Sequence, residues 1–83
     1  MPDETSAERE LTYGEKAVGL TFNPSGNETV QAIKVAFAAA IDVIQEERLK
    51  DTTASEKGAM LTLAIREAQA AQMWAVKAAT WKS

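Results

Sequence analysis

Between residues 27 and 50, apolar side chains recur every three or four positions, which is the repeat of a long helix. They form two adjacent stripes: Val30, Ile33, Phe37, Ala40, Ile41 and Ile44 in the first, and Ala32, Ala36, Ala39 and Val43 in the second. Polar side chains indicate an opposite, solvated face: Gln31, Lys34, Asp42 and Gln45. A helix with two apolar stripes needs cover on two sides. The chain is therefore expected to be all-α, with this helix packed against further helices.

A second long helix is predicted over residues 54–82. Thr53-Ala54-Ser55-Glu56 matches a capping box, in which the first and fourth residues satisfy each other's free amides at a helix start. One face carries mostly small residues, which permit close approach of a partner helix: Leu61, Ala64, Ile65, Ala68, Ala71, Ala75 and Ala78. Because only a short linker around Asp51-Thr52 separates the two helices, we expect an antiparallel hairpin.

Residues 1–26 are predicted to form an N-terminal arm that ends in a turn. Thr5-Ser6-Ala7-Glu8 is another capping box and predicts a short helix that ends near Tyr13-Gly14. Residues 14–22 indicate an irregular or extended connector with apolar anchors. Asn23-Pro24-Ser25-Gly26 is a turn, and Ser25 with Glu28 matches a capping box that would start the first long helix.

The size of the chain predicts self-association. A hairpin within 83 residues has too little interior to cover the apolar faces of both helices. Small domains commonly gain stability from disulfides, metals or other subunits. With no cysteine and no histidine, disulfides and zinc sites made of thiolates or imidazoles are excluded. We therefore expect a single helical domain, 1–83, that forms a homo-oligomer and carries no cofactor or metal.

Charge and hydropathy narrow the partners. The net charge of −3 disfavours broad binding to duplex nucleic acid. Charged or amide side chains interrupt every apolar stretch before it could cross a bilayer, and residues 1–10 lack the apolar run of a signal peptide. A cytoplasmic protein without a membrane partner is expected. Catalysis is disfavoured, because helix starts and solvated faces account for most carboxylates.

Several side chains suit an anionic ligand, and each also has a structural explanation. Ser25-Gly26-Asn27 would offer free amides to a phosphate, unless the capping box occupies them. Tyr13 would stack on a base or simply pack on the hairpin. One face of the second helix alternates cations with aromatic rings, which suits either a flat anionic ligand or a protein interface: Arg66, Trp74, Lys77 and Trp81.

Two blocks of sequence resemble a known family. Val18-Gly19-Leu20-Thr21-Phe22-Asn23-Pro24-Ser25-Gly26 precedes the first long helix, and Ala71-Gln72-Met73-Trp74-Ala75-Val76-Lys77-Ala78 lies late in the second. In order and spacing, over a stretch from Tyr13 to Trp81, they resemble the phage anti-CBASS cyclic-nucleotide sponges. The resemblance implies a small helical protein that assembles into a hexamer. Such a protein holds the cyclic oligonucleotide messengers of bacterial defence intact, so that the defence effector stays inactive.

The resemblance also implies roles for particular residues. Tyr13 would stack on a base of a cyclic dinucleotide that lies between neighbouring protomers. Cyclic trinucleotides would occupy separate pockets, with contacts from Arg66 and from the turn residues Asn23, Pro24, Ser25 and Gly26. Lys77, selected from the helix face that alternates cations with aromatic rings, is a further candidate ligand contact.

One position departs from the family pattern. A lysine soon after the turn helps to hold phosphate in the family, whereas this chain has Asn27-Glu28-Thr29 there. Because Glu28 repels an anion, either Lys16 or Lys34 substitutes or the binding of cyclic dinucleotides is weakened.

The function expected from the sequence is sequestration of cyclic di- and trinucleotides, without cleavage, in the cytoplasm of an infected bacterial cell. Holding a ligand requires affinity and no general acid, base or nucleophile, which agrees with a chain that has no His or Cys. The alternative is a helical oligomerisation or adaptor module without a small-molecule ligand. A third candidate is a phosphodiesterase that acts on the same messengers.

Overall fold

The computed structural model describes residues 9–51 and 55–82, and these form three helices without any strand. Helix α1 covers Tyr13–Val18, α2 covers Glu28–Lys50 and α3 covers Glu56–Ala79. The all-α prediction is confirmed for these residues. None of the three helices is both long enough and apolar enough to cross a membrane.

Helices α2 and α3 form the predicted antiparallel hairpin. Near the linker, Lys57 Nζ lies 2.7 Å from Glu47 Oε2. Further away, Ile41 of α2 and Ile65 of α3 share the buried core. Since an earlier residue of α2 meets a later residue of α3, the two helices run in opposite directions.

Helix α1 begins where the sequence analysis expected a helix to end. Thr12 Oγ1 accepts the Glu15 amide at 3.1 Å, and Glu15 Oε1 accepts the Thr12 amide at 2.9 Å, which is a complete capping box. The helix ends at Gly19, whose φ of 63° is left-handed. The predicted irregular connector over 14–22 is therefore wrong for residues 14–18. The capping box expected at residues 5–8 lies outside the described residues.

The predicted Ser25 cap of α2 is also wrong, because Asn27 caps this helix. The Asn27 side chain accepts the Val30 amide at 3.0 Å. The turn lasts two residues longer than expected: Asn23 Oδ1 accepts the Asn27 amide at 3.2 Å, and Gly26 has a left-handed φ of 64°. These contacts delay helical geometry until Glu28.

Ser55 caps α3, although the sequence analysis placed the cap at Thr53. The Ser55 hydroxyl accepts the Gly58 amide at 3.1 Å, so the helix begins at Glu56. Thr53 itself lies outside the described residues.

The core is small and joins all three helices. It consists of Val18 from α1, Ala38 and Ile41 from α2, and Ile65 from α3. Helix α1 approaches α2 closely at Gly14, whose amide donates to Asp42 Oδ1 at 2.7 Å. A Cβ atom at Gly14 would overlap the carbonyl oxygen of Ala38. A glycine is therefore required for this contact.

Burial along α2 follows the predicted pattern only in part. Of the first stripe, Val30 and Ile41 are buried, whereas Ala40 is exposed. The second stripe is exposed throughout: Ala32, Ala36, Ala39 and Val43. Lys34, expected on the solvated face, is only 4% exposed because the segment that follows α1 covers it.

The hairpin is shallow, because its Cα atoms lie within 12 Å along the thinnest direction of the structure. Domains normally bury their apolar side chains between two packed layers around a core. Large apolar side chains consequently remain exposed on the described chain: Phe22, Val35, Val43, Leu49, Met60, Leu63, Met73, Trp74 and Trp81.

Candidate ligand-binding site

Tyr13 opens α1 and is held by an arginine from α2. Arg48 Nη2 donates to the Tyr13 hydroxyl at 3.2 Å, and the guanidinium carbon lies 5.6 Å from the centre of the ring. The tyrosine nevertheless stays 39% exposed. The ring is therefore fixed on one side and accessible on the other, which suits a residue that stacks on a planar ligand.

Arg48 is anchored on both long helices. Its Nε and Nη2 atoms donate to Gln45 Oε1 at 2.9 and 2.7 Å, and its Nη1 atom donates to Thr62 Oγ1 at 3.1 Å. Arg48 was not among the candidate residues predicted from the sequence. A signal was present, because Ile41, Ile44 and Arg48 follow helical spacing, so that the aliphatic part of Arg48 continues an apolar stripe.

The pKa of Glu15, which belongs to the capping box next to Tyr13, is lowered. The main cause is the hydrogen bond from the Thr12 backbone amide, and the Arg9 guanidinium at 3.1 Å adds to it. Both favour the carboxylate. The start of α1 is consequently stabilised by a charged side chain at neutral pH.

A cleft of about 430 Å³ lies beside the start of α1. Its lining combines two carboxylates with apolar side chains: Thr12, Asp42, Val43, Gln45, Glu46 and Leu49. The carboxylates make it a poor place for phosphate.

The turn before α2 borders a second cleft, of about 530 Å³. Its lining residues are Leu20, Thr21, Asn23, Gly26, Glu28 and Gln31. The predicted contacts Asn23 and Gly26 thus line it, whereas Pro24 and Ser25 are exposed beside it. Glu28 is the one charged lining residue, so this cleft also has no cation in its own wall.

Lys34 lies behind the turn, with its ammonium group directed at the backbone. Nζ donates to the carbonyl oxygens of Gly19, at 2.9 Å, and Phe22, and it lies 5.5 Å from the centre of the Phe22 ring. Lys34 therefore holds the segment between α1 and the turn. Lys16 is the more accessible of the two lysines considered as substitutes, since its exposed Nζ lies 3.8 Å from Glu10 Oε2.

Arg66 lies on α3 next to α1. Its Nη1 atom donates to Gln69 Oε1 at 3.3 Å, and Gln69 Nε2 donates to the carbonyl oxygen of Ala17 at 3.4 Å. Thr62, which Arg48 contacts, precedes Arg66 by one helical turn on the same face of α3. Tyr13 is thus linked through Arg48 to Thr62, which lies one helical turn before Arg66.

Lys77 belongs to a separate surface near the end of α3. Its Nζ atom lies 5.9 Å from the centre of the Trp74 ring, and Trp74 and Trp81 are 70% and 68% exposed. Together with Ala78 these side chains line a groove of about 370 Å³. Lys77 lies eleven positions after Arg66, or about 16 Å along the helix axis, so these two cations are far apart within one subunit.

The part of the chain that the structure describes contains no group of three His, Cys, Asp or Glu side chains placed to hold a metal ion.

The described part of the chain is an all-α protein: a shallow helical hairpin with the short helix α1 docked on it. Residues 15–80, which include nearly all of the described helices, match the family model for the Acb2/Tad1 hairpin domain. The chain therefore belongs to the Acb2/Tad1 family of anti-CBASS sponges, and the resemblance found in the two sequence blocks is confirmed. At the level of the family, these proteins sequester cyclic nucleotides and do not cleave them. Neither the curated proteins nor the solved structures gave a match.

The family match covers most of the candidate residues. The turn residues 23–26 lie inside it, as do Lys16, Lys34, Arg66 and Lys77, whereas Tyr13 precedes it by two residues. The roles of individual residues in ligand binding stay predictions.

Proposed function

We propose that this chain is a phage-encoded sponge that binds cyclic di- and trinucleotide messengers and holds them intact in the cytoplasm of an infected bacterium. The observation that carries the proposal is membership of the Acb2/Tad1 family over both long helices and the turn. By lowering the free concentration of the messenger, the sponge keeps the defence effector inactive.

Tyr13 is the proposed stacking residue for cyclic dinucleotides. Its contact with Arg48 supports this role, because a ring that is already fixed loses little freedom when a base stacks on it. Stacking on an aromatic residue contributes about 1–3 kcal/mol per base in other systems.

Arg66 and the turn are the proposed contacts for cyclic trinucleotides. The exposed Arg66 guanidinium uses one hydrogen bond, to Gln69, among its described contacts and has further donors for phosphate. The turn is made rigid by the contacts between Asn23 and Asn27. A rigid turn suits a site that accepts a ring of defined size.

Lys16 is the proposed phosphate contact in place of the family lysine. Lys34 is buried and its ammonium group already donates to two backbone carbonyls, so it is not available for a phosphate. Its proposed role in binding is to hold the turn in position. Glu28 opposes any phosphate that enters the turn cleft, which favours ligands that place their phosphates elsewhere.

Assembly as a homo-hexamer is part of the proposal. Apolar surface that other copies would cover is offered by the exposed second stripe of α2, by the Trp74 ring of α3 and by the Trp81 ring just after α3. Sites between subunits would also let an acidic chain bring cations from several copies to one anion.

The proposal is tested with a panel of cyclic di- and trinucleotides, with linear dinucleotides as control ligands. The melting temperature is measured with each ligand, the protein is then heat-denatured, and the released material is analysed by chromatography. A raised melting temperature with intact ligand supports a sponge. Linear products would instead indicate a phosphodiesterase, and the absence of any shift would favour the adaptor.

Two substitutions separate the proposed pockets. Tyr13→Ala is expected to lower the affinity for cyclic dinucleotides selectively. Arg66→Ala is expected to lower the affinity for cyclic trinucleotides selectively. Lys50→Ala is the matched control, since Lys50 is an exposed cation whose described contact is an ion pair with Glu47 at 3.7 Å. The oligomeric state of each variant is verified by sedimentation before affinities are compared.

A further inference from the structure

We propose that Arg48 is the positioning residue for base stacking: it holds the Tyr13 ring against the hairpin so that the opposite face of the ring receives the base. This inference rests on the proposed binding of cyclic dinucleotides. It assigns a role to a residue that is not itself a proposed ligand contact, and it predicts a specific defect when that residue is changed.

The geometry of the guanidinium carries the argument. Four of its five N–H donors are engaged, two by Gln45, one by Thr62 and one by Tyr13. Because the acceptors belong to α1, α2 and α3, the group cannot rotate without losing contacts to several helices. Arg48 is thus a fixed platform, and the Tyr13 hydroxyl is attached to it.

The backbone of α1 is fixed independently. The Gly14 amide donates to Asp42, and the absence of a Cβ lets Gly14 lie against Ala38. The freedom left to Tyr13 is therefore rotation of its side chain, and the contact with Arg48 restricts that rotation. Lysine cannot replace this fork, since its ammonium is a point donor on a flexible stem.

Affinity and ring order are measured together. The Kd values for a cyclic dinucleotide and a cyclic trinucleotide are obtained by calorimetry for Arg48→Lys, Arg48→Met, Tyr13→Phe and the double variant Arg48→Met/Tyr13→Phe. Lys50→Met is the charge-matched control on the same helical turn. Tyr13 is the one tyrosine of the chain, so 3-fluorotyrosine gives a single ¹⁹F signal from this ring.

Arg48→Lys is expected to raise the Kd for the cyclic dinucleotide about tenfold and to change the Kd for the cyclic trinucleotide by no more than about twofold, because only the stacked ligand uses the ring. Tyr13→Phe keeps the ring but loses the hydroxyl, so Arg48→Met is expected to have a smaller effect in that background than in the wild type. The ¹⁹F signal should broaden or shift in Arg48→Lys and stay unchanged in Lys50→Met.

Opposite results overturn the inference. Equal dinucleotide affinity in Arg48→Lys, an additive cycle, or an unchanged ¹⁹F signal would each exclude positioning by Arg48. A parallel loss of both ligands in Arg48→Lys would reveal a general structural role. Gln45→Met checks the platform if Arg48→Met fails to fold, and it should give the same selective loss at smaller size.

Failure of the proposed function looks different. In that case the wild-type chain binds neither class of ligand, whatever the variants do. If it binds trinucleotides alone, the stacking role of Tyr13 and the inference about Arg48 both fail, while sequestration stands.

Discussion

The backbone amide of Gly14 donates a 2.7 Å hydrogen bond to Asp42 Oδ1, so the start of α1 is attached to a side chain of α2. A methyl group at Gly14 would overlap the Ala38 carbonyl oxygen and approach Asp42 Oδ1 to 2.9 Å. We expect Gly14→Ala to lower the free energy of unfolding by about 3 kcal/mol and to detach α1. Urea unfolding at fixed protein concentration measures the first effect, and the Tyr13 ring signal measures the second.

Gly58→Ala is the control for this substitution, because Gly58 also lies in a helix. Its added Cβ would meet Asp51 Oδ2 at 2.8 Å, a side-chain atom that can move. The gain in helix propensity, about 1 kcal/mol, offsets that adjustment. Equal stability of the Gly14→Ala and Gly58→Ala variants would contradict the close contact.

Lys34→Met is expected to destabilise the chain. The substitution leaves the carbonyl oxygens of Gly19 and Phe22 without their shared donor, at a cost of about 2 kcal/mol. Lys50→Met removes an exposed cation and should change the free energy of unfolding by no more than about 0.5 kcal/mol. Similar values for the two variants in urea unfolding would show that the buried ammonium contributes little.

Glu28→Lys is expected to raise the affinity for cyclic dinucleotides at least about threefold, since it replaces the one carboxylate that lines the turn cleft by a cation. The gain should shrink at high salt. The helix dipole disfavours the new charge by about 0.5 kcal/mol. Glu56→Lys in the first turn of α3 makes the same change of charge away from the cleft, so calorimetry on both variants separates local from global charge. Equal gains would remove the cleft from the binding site.

Trp74→Ser is expected to weaken assembly. The side chain is 70% exposed in the described chain, so its loss should leave the fold of the subunit intact while removing apolar contact area between copies. Sedimentation over a range of concentrations should show at least about a tenfold weaker association. Glu67→Ser, at an exposed polar position of the same helix, is the control. An unchanged sedimentation coefficient for Trp74→Ser would place the interface elsewhere.

Acid is expected to loosen the start of α1. The hydrogen bond from the Thr12 amide, assisted by Arg9, holds the pKa of Glu15 below its ordinary value of 4.5. Because the folded pKa is the lower one, this stabilisation is complete above pH 4.5 and is lost as the pH falls through the lowered pKa. The Tyr13 ring signal should therefore titrate below pH 4.5.

Two variants assign that titration. Glu15→Gln keeps an acceptor for the Thr12 amide but cannot titrate, so the acid response of the ring should disappear. Glu47, whose pKa is lowered chiefly by a hydrogen bond from Lys57, changes in the same direction. Glu47→Gln should leave the Tyr13 response in place. A midpoint at or above the ordinary value would contradict the capping contact.

Local signals in the sequence were sufficient for the long helices and their antiparallel arrangement. Apolar periodicity predicted α2 and α3, and the short linker predicted their direction. Competing cap signals were not resolved. At the start of α1, Thr12-Tyr13-Gly14-Glu15 fits the capping box as well as residues 5–8 do. At the start of α2, both Ser25 and Asn27 are suitable N-cap residues. The contact from Asn23, four residues away, favours Asn27.

The burial of Lys34 and the contacts of Arg48 depend on packing between helices, which the periodicity of a single helix cannot predict. Lys34 looks solvated on α2 alone and becomes buried because the segment after α1 covers it. Arg48 looks like a cation suited to the end of a helix, yet its donors reach α1 and α3. Both facts follow from where a six-residue helix docks, and α1 itself was misplaced by the sequence analysis.

The anchoring of Tyr13 on a platform from later in the chain has a consequence for synthesis. A helix of six residues has no stability of its own in water, and the arginine that fixes its tyrosine is itself fixed by Thr62. Thr62 is synthesised 49 residues after Tyr13. The nascent chain therefore carries an unfixed tyrosine until α3 has emerged, and the proposed stacking site should form in one step at that point rather than gradually as the chain grows.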